Sequence, residues 1–319
     1  MTTVQFLPEE RSAALITEEL AFTAVRDALI AAVGSQAEVF PAVLGHGSQD
    51  ENRFTVKSGA SAGLAGVKIG SYWPGNADKG IPRHNSLVLL FDQEHGRIGA
   101  VVEAGVVNAY RTAAADAVAA SVLARADATT LTIFGTGHQA LYECAAVSRV
   151  RPITTVHVVA RTPERGEHFL TQLAERGLAG RLTPAEQACR AADIIVTATT
   201  ARAPLFDAAW VCPGTHIAGM GSDAHGKQEL PPQLLKEARL FCDLPSQAVR
   251  IGELQHVAHL IDDGTLALTA VGDVLTGQAE GRRSEQDITV FDSSGIALQD
   301  LFVAEALLHA AALTSGTTE

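Results

Sequence analysis

Short apolar runs alternate with helix-period stretches through the middle of the chain. Leu131–Phe134, Val156–Val159 and Asp193–Thr197 are runs of strand length. Between them lie 140–150 and 164–176, where apolar residues recur at helical spacing. An alanine-rich helix over 111–125 precedes the first run, and 216–218 and 240–242 continue the series as further strands. Strand and helix alternating at this spacing predict βαβ units around a parallel sheet.

The flanks read differently. Residues 8–34 have helical periodicity, with Thr17 as an N-cap and an end near Gly34. From Val39 to Val102, short runs at 54–56, 66–69, 86–91 and 98–102 are cut by glycine, proline and asparagine, the texture of an antiparallel sheet. The stretch 71–86, SYWPGNADKGIPRHNS, is too rich in turn residues for regular structure. It concentrates Asn76, Lys79, Arg83, His84 and Asn85 beside Tyr72 and Trp73, as a binding loop or a solvated one. A strand at 287–291 and an apolar-faced helix at 298–313 close the chain. The fold class is therefore α/β: an α+β segment, a doubly wound parallel sheet as an insert, and a last helix able to rejoin the first segment. The α+β part takes 1–115 plus 300–319, and the insert 116–299.

Composition narrows the classes. The 319 residues are 47% hydrophobic and 19% charged, enough for a large core. A formal net charge of −12 argues against a nucleic-acid partner. None of the four cysteines forms a Cys-x-x-Cys pair, so neither a metal site nor a redox motif is expected. Scattered cysteines, an acidic first segment and no apolar run of about 20 residues point to a cytoplasmic protein without a membrane partner.

The chemistry begins at 131–142, LTIFGTGHQALY. A strand runs into a turn with Gly135 and Gly137, then into a helix with Ala140 at the third small position. Backbone amides at such a helix start can approach a pyrophosphate. The rival reading is a glycine turn in another α/β unit. The next strand ends in Ala160, Arg161 and Thr162, with no carboxylate before Glu164. An acid there would bind the ribose 2′-hydroxyl of NAD, whereas an arginine can pair with a 2′-phosphate. NADP(H) is favoured and NAD(H) possible; otherwise Arg161 is a surface charge.

Several motifs in one order resemble the ornithine cyclodeaminase/mu-crystallin family. They are Lys68 in GVKIG, YWPGN, Arg111–Ala114, GTGHQA, PGTHIAGMGSDAHGKQEL at 213–230 and FDSSGIALQD at 291–300. The resemblance covers roughly residues 39–302. It implies a substrate and dimerisation domain built from both chain ends, a homodimer, and NAD(P)(H) chemistry on small α-imino or α-amino acids. It implies a Rossmann domain inserted between the two ends, Lys68 and Asp223 as catalytic residues and Arg111 as the carboxylate receptor. Lys57 as a compensating cation, and Asn76 and His84 from the donor-rich loop, are read as further substrate contacts. Cofactor contacts are expected at Thr112, Gly135, Thr136, Gly137, His138, Gln139, Ala160, Arg161, Thr162, Thr197, Ala198, Thr199, Met220, Gly221, Ser294 and Gly295.

Physical chemistry supports the roles separately. Arg111 is read as opening its helix, so guanidinium and helix N-terminus both favour an anion. Lys68 sits mid-strand, where burial lowers its pKa, unless it snorkels from an edge. Asp223 follows the strand HIAGMG, in a loop at the carboxyl edge or as a turn former. A second carboxylate-binding arginine of many members is missing; Leu44 takes its place, and Lys57, Arg53 or His46 could compensate. The leading activity is NADPH-dependent reduction of a cyclic ketimine carboxylate to an L-amino acid. Ornithine cyclodeaminase, an acyclic amino-acid dehydrogenase, an iminosuccinate reductase and a non-catalytic NADPH-binding crystallin are the alternatives.

Overall fold

A computed structural model describes residues 4–315. The chain divides into two compact units, 1–111 with 296–319, and 112–295.

The first unit opens with strand β1 (Gln5–Leu7) and helices α1 (Glu9–Leu15) and α2 (Glu18–Ala32). The Thr17 hydroxyl caps α2 by accepting Leu20 N–H at 3.1 Å. Six strands follow: β2 (Glu38–Val39), β3 (Val43–His46), β4 (Arg53–Ser61), β5 (Leu64–Tyr72), β6 (His84–Asp92) and β7 (Arg97–Glu103). They form one sheet of order β1-β7-β6-β5-β4-β2, with β3 also on β4. The expected antiparallel pairing holds between β2 and β7, but β1 joins β7 in parallel. The turn-rich stretch is more regular than its composition suggested. β5 runs to Tyr72, Pro74–Lys79 is a 3-10 turn, and β6 starts at His84.

Helix α3 (Val107–Leu123) begins one turn earlier than its alanine run indicates. Arg111 is thus its fifth residue and does not open it. The true start is capped by Glu9, whose carboxylate accepts Gly105 and Val106 N–H at 2.7 Å each.

The second unit is built on an eight-stranded parallel sheet. In chain order it contains β8 (Thr130–Phe134), α4 (His138–Val150), β9 (Thr155–Val159), α5 (Pro163–Glu175), β10 (Gly180–Leu182), α6 (Ala185–Ala191), β11 (Ile194–Thr197) and β12 (His216–Gly219). Then come α7 (Pro232–Glu237), β13 (Arg239–Cys242), α8 (Pro245–Ile251), α9 (Ala258–Asp262), β14 (Leu268–Ala270), α10 (Val271–Leu275) and β15 (Thr289–Asp292). The spatial order is β10-β9-β8-β11-β12-β15-β13-β14. Consecutive strands diverge between β8 and β11, the switch point where a doubly wound sheet binds its ligand. The central strands β11, β12 and β15 are buried along their whole length, with Thr197, His216, Thr289 and Asp292 as buried polar residues at their ends.

The last helix, α11 (Ala297–Ser315), returns to the first unit and packs on α2 and on β4, β5 and β6. Gly59 and Gly66 let it approach. A Cβ at Gly66 would lie 2.9 Å from Leu301 Cδ2, and one at Gly59 3.4 Å from Leu298 Cδ2. By length and composition α11 is apolar enough to cross a membrane. More than half of it is buried in the protein, and Gln299, Asp300, Glu305 and His309 interrupt it, as suits a core helix. Cys144, Cys189, Cys212 and Cys242 are free thiols.

Candidate active site

Pleating sorts β4, β5 and β6 into two faces. Gly59, Gly66 and Leu90 form a cross-strand row beneath α11. The next row on that face is Lys57, Lys68, Val88 and Val102. Beyond it come Leu44, Thr55, Gly70 and Ser86, and then His46, Arg53, Tyr72 and His84. Lys68 therefore lies where the helix ends and the sheet floor continues with small polar residues.

Lys68 is buried and held by two acceptors. Its Nζ donates to Asn108 Oδ1 at 2.6 Å and lies 3.0 Å from Asp300 Oδ1. Arg111 uses the same two oxygens: Nη2 donates to Asn108 Oδ1 at 2.9 Å, and Nε lies 3.0 Å from Asp300 Oδ1. The Nε contact is an ion pair without an aligned hydrogen bond. Each acceptor thus bridges the two cations and fixes their spacing. Burial pulls the Lys68 ammonium down to about 7, with Asp300 opposing and Arg111 and Lys57 adding to the fall. Burial alone would raise the Asp300 carboxyl, yet Arg111 and Lys68 bring it below its ordinary value. Three cations face one carboxylate, so the pocket has positive charge and guanidinium donors left for an anion.

Asp300 and Asn108 were missed in the sequence. Asp300 is the last residue of FDSSGIALQD and stands on the first turn of α11. Asn108 is three residues before Arg111, an i,i+3 neighbour visible only once α3 starts at Val107.

The other expected substrate contacts are more dispersed. Lys57 is directly opposite Lys68 on the same face. His84 shares that face but stacks on Tyr72 at 4.7 Å, four residues along from Val88, about 13 Å away. Asn76 donates to the Pro82 carbonyl at 3.0 Å and shapes its own loop. Leu44 occupies the row next to Thr55 and is exposed, with Arg53 and His46 one row further.

In the second unit the glycine turn has the geometry a dinucleotide needs. Gly135 has φ +120°, and a Cβ there would lie 2.7 Å from the Ala198 carbonyl. Gly137 is the N-cap of α4, with open space around it. Beyond Thr136, α4 begins with His138 and Gln139, and its N-cap glycine has no side chain to cap it. The His138 ring stacks on Tyr142 at 4.9 Å, and burial, then Arg176, lower its pKa. Gln139 Nε2 donates to Glu143 Oε1 at 2.7 Å. Thr112, the first residue of this unit, lies on α3. At the tip of β9, Ala160 is half-buried and Arg161 and Thr162 are exposed. Glu164 is held below its ordinary value by its own backbone N–H and by the Thr162 hydroxyl.

Thr197 ends β11, Ala198 and Thr199 follow it, and Met220 and Gly221 follow β12. Asp223 is exposed and paired with Lys227 at 2.5 Å. Ser294 Oγ and Gly295 N–H both donate to Asp243. No group of three or more His, Cys, Asp or Glu residues is placed to hold a metal among the described residues.

The family model of the ornithine cyclodeaminase/mu-crystallin family matches residues 10–314. The chain belongs to that family. It is 36% identical over 307 residues to iminosuccinate reductase of Paracoccus denitrificans, covering 95% of each chain. An archaeal alanine dehydrogenase dimer with bound NAD superposes with a TM-score of 0.89 at 32% identity, over 98% of this chain and 97% of that one. Thermococcus litoralis Δ1-pyrroline-2-carboxylate reductase, in complex with NADH and L-proline, gives 0.89 at 25% identity over 98% of both chains. Members of the family thus share this architecture from end to end.

Proposed function

We propose that the protein is an NAD(P)H-dependent oxidoreductase that reduces the C=N bond of an α-imino carboxylate to give an amino acid. The observation that carries this is the buried pair of Lys68 and Arg111, held at fixed spacing by Asp300 and Asn108. Arg111 binds the substrate carboxylate by charge-assisted hydrogen bonds. Lys68, poised near neutrality, holds the imine nitrogen and supplies its proton as the bond is reduced. Asp223 orients the nitrogen or a water molecule. When bound, the nicotinamide supplies the hydride that the imine carbon takes up. The chain's own contribution is placement of charge and of reactants.

The glycine turn and the loops after β11 and β12 are the residues suited to hold the dinucleotide. Ala160 and Arg161 at the β9 tip favour NADP(H) over NAD(H). Arg161→Ser should raise the Michaelis constant for NADPH and leave that for NADH little changed. An equal effect on both would remove the preference.

For the substrate, the neutral floor of Thr55, Gly70 and Ser86 suits a cyclic ketimine such as Δ1-pyrroline-2-carboxylate or Δ1-piperideine-2-carboxylate. Lys57 supports a second reading. A cation beside Lys68, with Arg53 four residues along the same strand face, about 13 Å away, suits an acyclic substrate with a second carboxylate, such as iminosuccinate. Loss of NADPH absorbance with each of these imines, and ammonia release from ornithine, separate the readings. Turnover of iminosuccinate that collapses in Lys57→Met would establish the second reading. Ammonia release from ornithine as the fastest reaction would replace both with cyclodeaminase chemistry. Tight NADPH binding without any turnover would favour a binding protein.

A homodimer is part of the proposal. The sheet face opposite α11 carries the rows Val43–Val56–Ile69–Leu87 and Val67–Leu89–Val101–Phe6, with Phe6, Val43 and Ile69 exposed. An apolar face of this extent fits the same face of a second copy.

A further inference from the structure

We propose that Glu229 is a positioning residue for the nicotinamide end of the cofactor; this rests on the dinucleotide reading above. Glu229 is buried, and its carboxylate receives four donors from two neighbouring loops. Oε1 accepts Thr199 N–H at 2.6 Å and Thr199 Oγ1 at 2.6 Å. Oε2 accepts Gly221 N–H at 2.8 Å and Thr197 Oγ1 at 2.8 Å. Thr197 and Thr199 belong to the exit of β11, and Gly221 to the exit of β12. These strands lie on the far side of the switch point from β8 and β9, in the half of a doubly wound sheet that takes the second mononucleotide of a dinucleotide. One side chain thus ties together the two loops that frame the nicotinamide.

The brace is itself fixed. Glu229 N–H and Leu230 N–H donate to the two oxygens of Glu253 at 2.8 and 3.0 Å. Leu205 N–H donates to the Glu229 carbonyl at 2.8 Å. Gly221 has no room for a side chain, since a Cβ would lie 2.6 Å from Glu229 Oε2. The carboxylate cannot be exchanged for an amide without loss. Each oxygen takes one backbone N–H, so the NH2 group of a glutamine would face one of them donor to donor. Glu229 touches no reacting atom. It acts by setting where the Thr199 and Gly221 backbone stands, and it consumes both of their N–H groups in doing so.

The test compares a dinucleotide with its fragment. NADPH is paired with 2′,5′-ADP, and NADH with ADP-ribose; the fragments lack the nicotinamide. In Glu229→Gln the dissociation constant of the dinucleotide should rise about tenfold or more, the cost of a lost charge-assisted hydrogen bond. The fragment should bind within about twofold of wild type. The emission of bound NADPH should shift toward that of free NADPH, and kcat should fall more than the substrate's Michaelis constant rises. Thr199→Val, which removes one hydroxyl donor and keeps the backbone N–H, should show a smaller split of the same sign, and decides the matter if Glu229→Gln does not fold. Equal weakening of dinucleotide and fragment, or wild-type affinity and emission in the variants, would overturn the proposal. A wild-type protein that binds neither pair would instead overturn the functional reading beneath it.

Discussion

In the proposed reaction Lys68 is the residue on which the chemistry turns; burial lowers its pKa and Asp300 opposes the fall. Asp300 raises the Lys68 pKa against burial, so Asp300→Asn should lower it further. If the ammonium is the active form, the rate falls as pH rises through that pKa. The alkaline limb of kcat/KM should then move to lower pH by about one unit or more in Asp300→Asn, as expected for losing a carboxylate at this range. A limb that stays in place would separate Lys68 from the proton transfer. Stability has its own pH dependence. The folded pKa of Lys68, about 7, is below its ordinary value of 10.5, so the unfolded chain binds more protons between those values. This residue's contribution to stability therefore rises with pH across that window. Asp300→Asn also leaves two buried cations less compensated, a change that costs about 3–5 kcal/mol when a buried pair is broken. The part of that loss owed to Lys68 should ease as pH rises toward about 7, where the lysine becomes neutral in both proteins.

Half of this cluster was legible in the sequence. A lysine between Val67 and Ile69 on a buried strand stands out, because charge there is expensive. Arg111 stood out by its place before an alanine-rich run. Asp300 and Asn108 did not, because an aspartate at a helix start and an asparagine before an arginine are ordinary. Their meaning comes from α11 returning across almost the whole chain to lie on β5.

At the scale of elements, the parallel strands were legible because central strands have apolar cores of strand length between helix-period stretches. β10, exposed and three residues long, and β14, also three residues, leave too little pattern to see. The five- to seven-residue helices α6 to α10 are too short for helical periodicity to register. The start of α3 was misplaced because the alanine run begins only after Arg111, while the capping carboxylate, Glu9, lies far away in sequence. The seam between α11 and the sheet offers a test of placement. Gly66→Ala adds a methyl group against Leu301 Cδ2 at 2.9 Å and against the Leu89 carbonyl. Overpacking of this kind costs about 1–3 kcal/mol. The melting temperature should fall, and turnover should fall with it as α11 carries Asp300 away from Lys68. A variant with a lowered melting temperature and full activity would show that the site tolerates movement of the helix.

At the scale of the whole molecule, the exposed sheet face makes a prediction about assembly. Leu89 is at the centre of the apolar row on that face. Leu89→Glu should convert a dimer to a monomer in light scattering, since an unpaired charge would be buried between two copies. A wild-type protein that scatters as a monomer would remove the dimer, and with it the explanation of that face.

The central claim is that a nicotinamide hydride reaches the α-carbon of an imino acid at the site built by Lys68 and Arg111. It is tested most directly with NADPH or NADH carrying deuterium at the transferable C4 position. The protein is incubated with an α-imino carboxylate, and the amino acid formed is weighed by mass spectrometry. The account predicts one deuterium at the α-carbon of the product, with product formation lost in Lys68→Ala while the dinucleotide still binds. An unlabelled amino acid, or labelled product formed at the wild-type rate by Lys68→Ala, would contradict it.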